Sequence, residues 1–149
     1  MRAPSSLQFK LATEEWEFDA IHRLNYRTFV EEIPQHAPNP EARLVDRFHA
    51  ENTYVIARQG RDLVGMLALR GKRPFSLDNK LNDLDSHLPP DCRPVEVRLL
   101  AVEPVFRRTS VFVALFEFAT RFCLDEGYDV AVISGTTRQL KLYHHLGFR

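Results

Sequence analysis

Residues 94–149, PVEVRLLAVEPVFRRTSVFVALFEFATRFCLDEGYDVAVISGTTRQLKLYHHLGFR, decide the fold. Val95, Val97, Leu99 and Ala101 alternate with Glu96, Arg98, Leu100 and Val102 ahead of Pro104, the period-two pattern of a strand whose faces meet different surroundings. After a basic turn over residues 105–109, apolar side chains recur at Phe112, Leu115, Phe116, Ala119, Phe122 and Cys123, the spacing of a helix that buries one face. Ser110 reads as its N-cap and Gly127 as its stop. Residues 130–134 are almost wholly apolar, which predicts a short strand buried on both faces, followed by the polar Gly135-Thr136-Thr137 and a last helix over residues 137–146. Strand, helix and strand form a β-α-β unit. The open N–H groups at the start of its long helix, with Arg107 and Arg108 just before them, make an anion site.

Outward from this unit, length and composition set limits. A chain of 149 residues with 44% hydrophobic content buries one core and predicts one domain over residues 1–149. Twenty basic and twenty acidic side chains cancel, so no global field draws the chain to nucleic acid or an anionic membrane. Cys92 and Cys123 are far apart and in no metal-ligand spacing, which predicts free thiols in a reducing compartment, the cytoplasm. Residues 1–8 lack an apolar signal core, and no apolar run approaches membrane-spanning length.

Residues 9–12 read as a first strand, and Thr13 as the cap of a helix whose first turn carries Glu14, Glu15 and Glu17. Trp16, Ala20, Ile21, Leu24 and Val30 fit its buried side, and Pro34 marks its end. Three prolines make residues 33–40 an irregular loop, with a short helix expected over residues 41–48. Residues 53–57 and 63–69 are β-prone runs joined across residues 58–62 as an antiparallel hairpin. The long connection over residues 70–93 reads either as a lid or binding loop or as a disordered insertion, with Leu77, Leu81, Leu84 and Leu88 suggesting a small amphipathic helix.

The order AVEPVFRR, long helix, DVAVIS and LYHHLGF resembles the GNAT superfamily of acyl-CoA-dependent N-acyltransferases. RLNYRTFVEE, followed much later by EVRLLAV, is similar to the branch that contains autoinducer synthases and long-chain N-acyl amino acid synthases. The resemblance implies an α/β (α+β) three-layer sandwich, a mixed central sheet with helices on both faces. It also implies two further strands beyond the LGF motif, where this sequence stops at Arg149. They are expected from a longer polypeptide, from a second copy in a homodimer or from a partner domain; a reduced relative is the other possibility.

The resemblance assigns the backbone of Leu100, Ala101 and Val102 to the donor's pantetheine arm, and the turn of Arg107, Arg108, Thr109, Ser110, Val111 and Phe112 to its phosphates. Ser110 and Phe112 stand where the family has small residues, so the turn suits the single phosphate of an acyl carrier protein at least as well as CoA. Arg107-Arg108 is otherwise a solvated basic pair. Glu96 becomes a general base acting through water, or else a partner of Arg98 two residues on; Arg98 is an acceptor-side candidate, one position earlier than the branch's arginine, where Leu99 stands. Tyr143 matches a tyrosine placed near the thioester sulfur as a general acid, or packs the last helix on the sheet. Arg27 and Phe29 match residues bordering the acyl or acceptor site, or form an ordinary helix end. Adjacent His144 and His145 diverge around a helix and read as surface residues, with no metal implied.

Two functions follow. The first is an N-acyltransferase moving an acyl group from acyl-CoA or acyl carrier protein to a small amine such as an amino acid. The second is a non-catalytic GNAT-like module that binds an acyl ligand or regulates a larger protein. A nucleotide site has no Walker-type or GxGxxG run to support it.

Overall fold

The computed structural model describes residues 6–134 and 140–149. Strand β1, Gln8–Leu11, leads into helix α1, Glu15–Tyr26, which continues as a π-helical segment, Arg27–Glu32. Strands β2, Thr53–Gln59, and β3, Asp62–Arg70, form the expected hairpin; Gly60 at its tip has φ +60°, a region open to glycine at no steric cost. Strand β4, Pro94–Val102, helix α2, Val111–Asp125, strand β5, Val130–Ile133, and helix α3, Leu140–His145, complete the chain order. The strands lie in the order β1-β2-β3-β4-β5, antiparallel except for the parallel pair β4 and β5. This is the mixed sheet and the β-α-β unit the sequence predicts.

Each face of the sheet buries a helix. Val111, Leu115 and Ala119 of α2 and Tyr143 of α3 pack with Val55, Leu67, Leu69, Val95, Val97, Leu100 and Val102 on one side. Ile21 and Leu24 of α1 pack with Tyr54, Ile56, Met66, Ala68 and Ala101 on the other. Burying such side chains contributes about 1.5–3 kcal/mol each, which makes the sheet a rigid platform for the groups at its edge.

The simple alternation expected along β4 fails at Leu99. Its φ of +55° is left-handed, and the register with β3 jumps, Arg98 facing Ala68 and Ala101 facing Met66, so Leu99 and Leu100 together oppose Leu67. This is a β-bulge, and it switches the faces: Val95 and Val97 share the α2-side core with Leu100 and Val102, while Ala101 turns to α1. A left-handed leucine costs about 1–2 kcal/mol, offset by the packing that the switch allows. β5 pairs with β4 only over Pro94–Val97, so beyond the bulge the edge of β4 is open.

Several local expectations are corrected. The carboxylate of Glu17 accepts the N–H groups of Thr13 and Glu14 at 2.9 and 3.0 Å, so the N-terminus of α1 is closed from its third residue and Thr13 is not the cap. Residues 41–48 form no helix; they run as a loop under α1, where Leu44 N–H bonds the carbonyl of His22. Ser76–Asn79 and Asp85–His87 are 3-10 turns, in place of one amphipathic helix. The connection over residues 70–93 is packed, with buried Phe75 and Leu84 on Val132. Finally, β5 is not buried on both faces: Val132 is buried but Ala131 is exposed, and no strand flanks its outer edge among the described residues.

Candidate active site

Where β4 and β5 diverge, a cavity of about 660 Å³ opens, lined by Phe29, Asp46, Glu96, Arg98, Ile133 and Tyr143 among others. Five sequence candidates, Phe29, Glu96, Arg98, Leu100 and Tyr143, therefore line one space.

Glu96 projects from β4 and is 1% exposed. Its carboxylate accepts the backbone N–H of Ser76 at 2.6 Å and an Nη1–H of Arg98 at 3.2 Å. A carboxylate has about four acceptor positions, so these two bonds leave capacity toward the cavity. Arg98 also donates through Nη2 to Asp46 at 2.7 Å and through Nη1 to Ser76 Oγ at 3.2 Å. Asp46 in turn accepts the side-chain amide of Asn52 at 2.8 Å. Two carboxylates flank one guanidinium, so the group carries a net negative charge beside the cavity. Arg47 and Lys80 stand on the same lining and are exposed, bringing positive charge to the rim. Asp46 and Ser76 escaped the sequence reading, because nothing local marks a loop residue that pairs 52 positions away.

Tyr143 is held by α3 at 8% exposure, packed on the α2-side core. Burial pushes its phenol above the ordinary tyrosine value, so the hydroxyl stays protonated through the neutral range. Gly135, Thr136 and Thr137, expected after β5, lie outside the described residues.

The peptide geometry of β4 defines its open edge. Glu103 N–H bonds Val64 of β3 at 2.8 Å, so across the trans peptide the Val102 carbonyl points the other way, toward the diverged β5 side. By alternation the backbone groups of Val102 and Leu100 face that open edge, whereas those of Ala101 face β3. Of the three residues expected to contact a donor arm, two point there and Ala101 does not.

At the mouth, Ser110 stands at the expected N-cap position of α2 but makes no side-chain cap; Thr109 Oγ1, one residue earlier, accepts Val111 N–H at 3.3 Å instead. Phe112 turns its ring against the core, which clears the helix start. Val111 is buried, leaving only its backbone toward the turn. Arg108 is exposed. Arg107 is engaged: its guanidinium binds both oxygens of Glu32 at 2.7 and 2.8 Å and donates through Nε to Val102 O at 2.9 Å. The solvated-pair alternative thus fails for Arg107. Arg27 pairs with Glu103 at the surface and does not line the cavity.

A mixed sheet splayed after a bulge, with a helix N-terminus at the mouth and Glu96, Arg98 and Tyr143 gathered behind it, is the arrangement of the GNAT acyltransferase fold. The comparison with family models narrows this. The chain belongs to the N-acyl amino acid synthase family FeeM, whose model matches residues 20–149. It is an N-acyltransferase, and membership of an enzyme family disfavours the non-catalytic module. No curated protein sequence matches the chain. Among solved structures, the CoA-dependent acyl-homoserine lactone synthase BjaI, solved with SAM and isopentyl-CoA, is similar at TM-score 0.80 and 23% identity, over 97% of this chain and 74% of that one. The acyl-homoserine lactone synthase LasI is similar at TM-score 0.77 and 15% identity, over 97% and 80%. An aminoglycoside N-acetyltransferase in complex with CoA is similar at 0.68 and 14%, over 100% and 91%. At these identities the likeness is one of fold. No helix among the described residues is long and apolar enough to cross a membrane.

Proposed function

We propose that the chain transfers the acyl group of acyl-CoA to the amine of an amino acid, with Glu96 as general base and Tyr143 as general acid. The observation that carries this reading is the convergence of Glu96, Arg98 and Tyr143 on one cavity beside the open edge of β4. The donor fits the residues present: Leu100 and Val102 offer backbone groups along that edge, and the start of α2 with Arg108 offers N–H groups and charge for phosphate. The zwitterionic acceptor fits as well, its ammonium toward Glu96 and Asp46 and its carboxylate toward Arg47 and Lys80 at the rim.

An ammonium cannot attack a carbonyl. Glu96 takes one of its protons through a water and passes it to solvent, leaving the free amine. The nitrogen then bonds the thioester carbonyl carbon, the C–S bond breaks, and the amine's second proton leaves to solvent. Tyr143 gives its phenol proton to the departing sulfur and regains one from solvent, so one thiol and one amide result. Arg98 holds Glu96 in place and reaches toward the acceptor side. Holding donor and acceptor together in this cavity converts a bimolecular encounter into a positioned one, a large part of the rate gain.

Acyl carrier protein is the second donor reading, favoured by the glycine-poor turn over residues 107–112 and by Arg107 being already paired. A further segment or a second copy pairing with the outer edge of β5 would wall the acceptor side. Thermal melting with acyl-CoA and with acyl carrier protein, followed by free-thiol release over a panel of amines, tests the reading. Acyl-CoA should raise the midpoint, and amino acids should release thiol faster than alkylamines of the same size. No shift with either donor, or equal rates across the panel, contradicts it.

A further inference from the structure

The first residue of the turn that family resemblance assigns to the donor's phosphates, Arg107, is already bound within the chain. Arg107 meets both oxygens of Glu32 at 2.7 and 2.8 Å, the forked geometry a guanidinium also uses for phosphate. Its Nε donates at 2.9 Å to the Val102 carbonyl, which points to the open edge of β4. The pair therefore lies at the phosphate end of the groove where the donor arm is proposed to run. It is not core: Arg107 and Glu32 keep 33% and 30% of their side chains exposed, so an incoming anion can reach them. Glu32 ends the π-helical segment Arg27–Glu32, a rare geometry often found at functional sites, and the same segment carries Phe29 on the cavity wall. A second ion pair, Arg27 with Glu103, ties that segment to the end of β4. One charged link, Arg107–Glu32, thus joins the donor turn to a wall of the acceptor cavity, and the other anchors the far end of that wall on β4.

We propose that Glu32 is an internal stand-in for the donor's phosphate: it holds Arg107 until the diphosphate of CoA displaces it, and that exchange frees the Glu32 end of the Arg27–Glu32 segment from the donor turn, its other end staying on Glu103. A carboxylate left beside a bound diphosphate would repel it, so Glu32 must withdraw as Arg107 changes partner. Donor binding then loosens the wall that Phe29 provides, which orders the reaction with donor before acceptor. Glu32 is on this view a positioning residue. The inference rests on the acyl-CoA reading above.

Isothermal titration with CoA tests it on the whole chain, comparing wild type, Glu32→Gln, Arg107→Gln and the double variant. Freed of its competitor, Glu32→Gln should bind CoA about fivefold more tightly, the scale of a partly exposed ion pair. Pantetheine, which has no phosphate, should bind wild type and Glu32→Gln equally. The gain should vanish in the double variant, and Glu32→Asp, one methylene shorter, should show a smaller gain of the same sign, which also serves if Glu32→Gln does not fold. Hydrogen exchange over residues 27–33 should quicken when CoA binds wild type. A merely bracing Glu32 predicts the reverse: weaker or unchanged CoA affinity in Glu32→Gln, or slowed exchange over residues 27–33, and either overturns the proposal while leaving the donor reading intact. CoA binding to none of the proteins overturns both.

Discussion

Replacing Glu96 with glutamine removes one charge and almost no volume from a buried, hydrogen-bonded position. Ser76 N–H, 2.6 Å from the carboxylate, keeps a carbonyl acceptor, while Arg98 loses its 3.2 Å bond and retains Asp46 at 2.7 Å. The fold therefore survives with one weakened charged contact in a buried setting, a loss of about 1–3 kcal/mol. For a chain of this size that lowers the melting midpoint by roughly 2–4 °C per kcal/mol. The chemical effect should be larger. An amide cannot take the ammonium proton, so kcat for thiol release should fall about 10²–10⁴-fold, with the KM for acyl-CoA little changed because the donor groove is untouched. The assay is thiol release under saturating donor and amino acid, paired with a melting curve to show that the variant is folded. A folded Glu96→Gln protein whose kcat stays within about threefold of wild type would refute the base assignment.

Tyr143→Phe should retain the fold, losing about 1 kcal/mol from one buried hydroxyl, yet lower kcat about 10²-fold; the alkaline loss of rate in wild type should set in above the ordinary tyrosine range, because burial raises the pKa of the phenol and only its protonated form would serve as the acid. His22 is buried, and desolvation, with the charges of His49 and Arg43, lowers its pKa to about 4. Since the unfolded chain binds this proton below about 6.5 and the folded chain only near 4, stability present above pH 6.5 should be lost as pH falls toward 4, by up to about 1.4 kcal/mol per pH unit. Chemical denaturation across that range checks it, and His22→Phe should flatten the acid limb; an unchanged limb contradicts the assignment.

What the sequence disclosed follows the range of the interactions involved. The hairpin, α2 and the parallel β4 and β5 pair rest on period and turn chemistry, which are local, and they stand within a few residues of expectation. The bulge at Leu99 was not legible, since leucine carries no local preference for φ +55° and only packing on both faces imposes it. Without the bulge, Val95 to Ala101 reads as one uninterrupted alternation, and the open edge proposed to receive a donor goes unseen. The same distance rule governs the site. Glu96 and Arg98 are near neighbours and legible as a pair, whereas Asp46 and Arg98 are 52 residues apart, and Glu32 and Arg107 are 75 apart. Arg27 matched a family position in sequence, but Glu103 draws it to the surface.

Residue-resolved hydrogen exchange of β4, with and without saturating acyl-CoA, asks whether the open edge left by the Leu99 bulge holds the acyl donor. The amides of Leu100 and Val102 face that edge and should slow when the donor is bound, while Ala101, already directed to β3, should not change. Protection confined to the α2-side groove around Phe116 and Cys123, or no change at Leu100 and Val102 at saturation, would contradict it.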